Sequence, residues 1–126
     1  MINLIYKSKT INLEFRINHA DTFWQRFKGL LFYKKPIVDE GLLITRCNSI
    51  HMFFMKFPID VVFLDQSNTV VKVVSHVKPW SVISPVLSAY STLELPSGTI
   101  SERSIGVGDT IILEDCFENT SKTKNA

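Results

Sequence analysis

The densest apolar run in the chain spans residues 47–65, C-N-S-I-H-M-F-F-M-K-F-P-I-D-V-V-F-L-D. It holds two of the three methionines and four of the nine phenylalanines, so any core must form around it. Periodicity predicts two short strands, residues 50–56 and 61–64, broken at Pro58. Proline lacks the N–H that a ladder needs and belongs at an edge or a corner. A corner inside a hydrophobic centre is where a polar group such as Asp60 can meet buried backbone.

The flanking segments extend the β pattern. Ile11, Leu13, Phe15 and Ile17 alternate with Asn12, Glu14 and Arg16, which predicts one half-buried strand. Residues 42–44 form a short apolar strand. Residues 65–68, D-Q-S-N, carry turn chemistry, and residues 69–77 complete a hairpin with 61–64. Residues 80–88 read as irregular and 89–95 as a strand stopped by Pro96-Ser97-Gly98. Gly106, Gly108 and Asp109 mark a tight turn before a last strand at 110–113. One helix is predicted, residues 22–28. Thr22 and Gln25 fit a capping box, and Phe23, Trp24 and Phe27 share a face. Two turns cannot hold themselves in water, so that helix must be docked. Many short strands with one short helix predict a mainly β domain, a small sandwich or barrel, over residues 1–115. Residues 116–126 read as a polar, disordered tail.

The totals narrow the function classes. A chain of 126 residues is one domain, long enough to bury about two thirds of its unfolded surface without disulfides. A net charge of +2 argues against nucleic acid or a membrane surface as partner. Cys47 and Cys116 are far apart, which argues against a disulfide framework. The first ten residues do not fit a signal peptide, so a cytoplasmic location is expected.

Five pieces then stand in order: R-F-K-G-L-L (26–31), G-L-L-I (41–44), the 47–65 stretch, L-E-L-P-S-G (93–98) and G-D (108–109). Together they resemble domain of unknown function 192, also called uncharacterised protein family 0127, over residues 11–113. The resemblance implies a compact, jelly-roll-like β fold and brings no established activity. Many relatives carry Trp before Met in the central stretch and Asn-Thr after it. Here Phe54 and Lys56-Phe57 stand in that region.

The candidate site residues are His51, Asp60, Trp80 and Glu94. If 50–56 is a strand, His51, Phe53 and Met55 share a face, and His51 points inward. It reads either as a core histidine with one hydrogen bond or as a proton-transfer or ligand-binding group. Asp60 reads as a corner carboxylate accepting backbone N–H groups, or as an acid/base or ligand acceptor. Glu94, the lone charge in 93–95, is expected to face solvent. Arg26 complements the helix dipole or pairs with a buried carboxylate. A Cys47–His51 pair is disfavoured, because four residues of strand separate them by about 13 Å. His19, His51, His76, Cys47 and Cys116 are scattered singly, so neither metal nor cofactor is expected.

Three functions fit. One is a non-catalytic binding module for a small polar ligand or carbohydrate, its mouth lined by His51, Asp60 and Trp80, with Glu94 nearby. Another is a small acid/base enzyme using His51 with Asp60 or Glu94. A third is a protein–protein adaptor using exposed Met52 and Phe54. A monomer or weak homodimer is expected in each.

Overall fold

A computed structural model describes residues 8–13, 16–20, 40–51, 56–113 and 116–118. The predicted helix at 22–28 and the segments 52–55 and 119–126 lie outside the described residues. The fold is mainly β. Ten strands and one short helix are described: β1 (Thr10–Asn12), β2 (Arg16–Ala20), β3 (Glu40–Thr45), β4 (Ile50–His51), β5 (Ile59–Leu64), β6 (Val70–Val77), β7 (Val82–Ile83), β8 (Ser91–Pro96), α1 (Thr99–Glu102), β9 (Thr110–Ile112) and β10 (Cys116–Glu118).

A six-stranded sheet in the order β10-β2-β3-β8-β5-β6 forms the middle layer, and β1–β9 and β4–β7 are two-stranded ribbons. Among the described residues the sheets are open and close into no barrel. The central strands are buried on both faces: all six residues of β5 are buried, as are the first five of β8. Such strands read as continuous apolar runs rather than alternating ones. On one face, Leu42, Ile44, Ile59, Val61 and Phe63 meet Ile50 and Ile83 of the β4–β7 ribbon. On the other, Leu43, Val62, Leu64, Leu93 and Leu95 meet Ile11 and Ile111 of the β1–β9 ribbon, with Ile100 of α1. The result is a sandwich-like stack with two apolar clusters.

The turn chemistry read from sequence is realised. Asp65 Oδ1 accepts the N–H groups of Ser67 and Thr69 at 2.8 and 3.0 Å, and the antiparallel β5–β6 hairpin follows. Gly98 and Gly108 both adopt positive φ, which a side chain would resist. Gly41 has a different reason. A Cβ there would stand 2.9 Å from Leu95 Cδ2 and 3.0 Å from the Glu94 carbonyl oxygen, so only glycine lets β3 and β8 approach.

Several expectations change. The single strand expected from Ile11 to Ile17 is two strands in different sheets. β1 pairs with β9 and β2 with β3. Both bury their apolar side chains in the same cluster, which is why the alternation looked continuous. The irregular 80–88 segment contains β7. Cys116–Glu118 pairs with β2 as β10, so the sheet extends into the segment read as a tail.

Candidate functional site

Asp60 opens the site because a defect in the ladder surrounds it. Across β5–β6, Ile59 pairs with Val77 and Val61 with Val74, so Ser75 and His76 both oppose Asp60. This is a β-bulge, which leaves a main-chain donor without a ladder partner. The Asp60 carboxylate takes it: Oδ1 accepts the His76 N–H at 2.9 Å. Its Oδ2 accepts the N–H groups of Gly98 and Ile100 at 3.0 and 2.8 Å. Asp60 is 0% exposed. Three charge-assisted bonds tie β6, the Ser97-Gly98 turn and α1 to β5. This matches the structural half of the sequence reading.

Glu94 corrects the expectation of a solvent-facing charge: it is 5% exposed. Its register partners are Leu42 on β3 and Val61 on β5, both in the cluster under the β4–β7 ribbon. No described residue donates a hydrogen bond to its carboxyl. Burial pushes that carboxyl from 4.5 up to about 8, because desolvation penalises its charged form. At neutral pH it therefore keeps its proton. Two residues away on the same face, the Thr92 hydroxyl donates to the Cys47 carbonyl at 2.8 Å, so the neighbouring hydroxyl proton is already engaged.

The sheet separates the two carboxyls. Asp60 pairs with Leu95 and bonds to Ile100, both in the cluster opposite the one that holds Leu42 and Val61. The Asp60 carboxylate therefore lies on the side of the sheet opposite the cluster that the β4–β7 ribbon joins. His51 lies on β4, register partner of Val82 on β7, and its side chain lies outside the described residues. Trp80 sits in the turn after β6 with φ 70° and is 58% exposed. Val82 and Leu87 nearby are also exposed. Met52 and Phe54, the proposed adaptor surface, lie outside the described residues.

The remaining candidates stay apart. Cys47 is a free thiol whose Sγ donates to the Ser49 carbonyl at 3.1 Å. His19 Nε2 meets Thr45 Oγ1 at 3.3 Å. Among the described residues no three His, Cys, Asp or Glu side chains converge as metal ligands, and no helix is long and apolar enough to cross a membrane.

One association escaped the sequence. His76 Nδ1 and Ser97 Oγ are hydrogen-bonded at the surface beside Asp60. The trio has the composition of a hydrolytic triad but not its geometry. Asp60 engages the His76 main chain, so its carboxylate does not orient the ring. The pair is 21 positions apart, and only the bulge that turns His76 outward would have revealed it.

The DUF192 family model, described as "Uncharacterized ACR", matches residues 5–113. A UPF0127 protein of Thermococcus sibiricus is 40% identical over 114 residues, covering 86% of this chain and 72% of that one. A UPF0127 protein of Pyrococcus furiosus is 40% identical over 114 residues, covering 88% of this chain and 95% of that one. The crystal structure of a protein of unknown function from Novosphingobium aromaticivorans superposes with a TM-score of 0.67 at 22% identity. The superposition covers 75% of this chain and 71% of that one and shows a shared fold.

Proposed function

The chain belongs to the DUF192 family, described only as uncharacterised, and from that premise we propose that it is a non-catalytic binding module whose small polar ligand contacts Glu94. The observation that carries this reading is a carboxyl group 5% exposed, without a hydrogen-bond partner among the described residues. A buried polar group left unpaired costs roughly 1–3 kcal/mol. A bound ligand that supplied the missing partner would recover that cost. Asp60 carries no such debt, since both its oxygens hold backbone N–H groups, so it is assigned to structure. Among the described residues, the slight β4–β7 ribbon of two register pairs packs over the Glu94 face together with Phe57, Val86 and Ala89. Ribbons of that size are marginal alone, and the reading requires this one to part when the ligand enters.

A second reading has one observation in its favour. A carboxylic acid protonated at neutral pH can act as a general acid, and the acid/base alternative would pair Glu94 with His51. A thermal-shift screen of small polar molecules and simple sugars separates the readings, run with Glu94→Leu and His51→Gln beside wild type. A hit recovered unchanged and weakened at least about tenfold by Glu94→Leu, roughly 1.4 kcal/mol, supports a binding module. A hit untouched by Glu94→Leu overturns the Glu94 site. A hit chemically converted by wild type but not by either variant replaces the module with the enzyme.

A further inference from the structure

A serine hydroxyl is a weak nucleophile unless a base stands within hydrogen-bond reach. Ser97 meets that condition. Its Oγ is hydrogen-bonded to Nδ1 of His76, and both residues are exposed. With its proton on Nε2, the ring offers Nδ1 as acceptor for the Ser97 O–H. One buried carboxylate holds the main chain under both. Asp60 Oδ1 accepts the His76 N–H at 2.9 Å, and its Oδ2 accepts the N–H of Gly98, next to Ser97, at 3.0 Å. His76 stands at φ 51°, a region that residues with a Cβ seldom occupy and that recurs at functional sites. Gly98 at φ 99° turns the chain directly after Ser97, and the Thr99 hydroxyl closes that turn on the Pro96 carbonyl at 2.7 Å. Base and hydroxyl therefore meet on fixed backbone, as a reactive pair requires.

The same clamp limits what the pair can react with. Cleaving an amide calls for N–H donors aimed at the developing oxyanion. The N–H groups of Gly98 and Ile100, just past Ser97, are spent on Asp60. An ester with a good leaving group needs less of that help. We propose that Ser97, activated by His76, is an acyl-acceptor site for carboxylic esters of good leaving groups. Ser97 Oγ attacks the carbonyl carbon as Nδ1 takes its proton. The bond from that carbon to the leaving oxygen breaks, and the alcohol departs with the proton. The acyl group stays on Ser97 as an ester. This site is independent of the Glu94 reading, since the Asp60 clamp lies on the other face of the sheet.

The full chain is treated with 4-nitrophenyl acetate, and separately with the amide 4-nitroacetanilide, and acetylated residues are followed over time by peptide mass spectrometry. Ser97 is expected to take acetyl from the ester at least about tenfold faster than Ser84 and Ser101, which are also exposed. His76→Gly removes the base while suiting the positive φ, and His76→Gln keeps a polar side chain in its place. In both, with the fold checked by circular dichroism, Ser97 acetylation should fall at least about tenfold. The anilide should leave Ser97 unlabelled. Labelling of Ser97 no faster than that of Ser84 and Ser101 would overturn the proposal, as would an undiminished rate in either folded His76 variant. Acetyl recovered on His76 instead would make the ring the nucleophile and overturn it too. Labelling by the anilide would overturn the restriction to activated esters.

Discussion

Asp60 and Glu94 stand one step apart across the β5–β8 ladder, Asp60 opposite Leu95 and Glu94 opposite Val61, yet they face opposite sides of the sheet. The same burial has opposite consequences for them. One carboxylate is saturated by three main-chain donors. The other lies among hydrocarbon and holds its proton.

Glu94 makes stability depend on pH. Its carboxyl rises from 4.5 to about 8 on folding, so between those values the folded chain keeps a proton that the unfolded chain releases. As far as this group is concerned, stability is full below about pH 4.5. It falls by up to roughly 1.4 kcal/mol per pH unit toward about pH 8, then levels off. Glu94→Gln removes that slope. Urea unfolding of the two proteins from pH 5 to pH 9 should give curves that nearly meet at pH 5 and separate by a few kcal/mol at pH 9. Parallel curves would show that Glu94 does not titrate as a buried acid.

Asp60→Ala should be among the most damaging single changes. It leaves the N–H groups of His76, Gly98 and Ile100 without their acceptor, at about 1–3 kcal/mol for each donor that water cannot reach. Asp60→Asn keeps one acceptor oxygen and should cost less. Hydrogen exchange locates the effect. Amides of residues 98–100 should lose protection first, and protection unchanged there would remove the staple role.

Gly41→Ala forces a methyl against Leu95 Cδ2, the Glu94 carbonyl and Ile17 Cδ1 at 2.9, 3.0 and 3.1 Å. Overpacking of this kind costs about 1–3 kcal/mol. Adding Leu95→Ala should relieve only part of the strain, because the carbonyl is main chain and cannot swing away. Full rescue in the double variant would contradict the close approach of β3 and β8.

His76 occupies the bulge with φ 51°, a conformation that costs an L-residue about 1–2 kcal/mol. His76→Gly and His76→Ala both lose the bond to Ser97, so the difference between them isolates the backbone. The glycine variant should be the more stable by about 1 kcal/mol in chemical denaturation. Equal midpoints would mean that the bulge relaxes.

Local chemistry was legible in the sequence where it is self-contained. Asp65 through Asn68 close a turn using their own side chains and backbone, so D-Q-S-N was enough to place the β5–β6 hairpin. Gly98 and Gly108 marked breaks because their positive φ excludes most other residues. Glu94 was misread because alternation records which side of a strand is wet, and β8 has no wet side. The run Leu93-Glu94-Leu95 looks half-buried only if a sheet has one covered face. Helix α1 was not foreseen, since four residues cannot specify a helix locally. Asp60, forty positions earlier, accepts the orphan Ile100 N–H of its first turn.

The parallel pairing of β1 with β9 and of β2 with β10 carries a consequence for the order of assembly. Thr10 finds its partner at Thr110 and Ile17 finds one at Cys116, each about a hundred positions later in the chain. The hairpin β5–β6 and its neighbour β8 need no such wait, and closing a short loop is faster than closing a long one. On a ribosome, the earliest of these strands to emerge must stay unclasped while the middle of the sheet assembles. Pulsed hydrogen exchange during refolding should accordingly protect Val61 to Val74 before Ile11, and simultaneous protection would refute that sequence of events. A nascent chain of this protein leaves its β1 edge open to strangers until the strand that claims it has been translated.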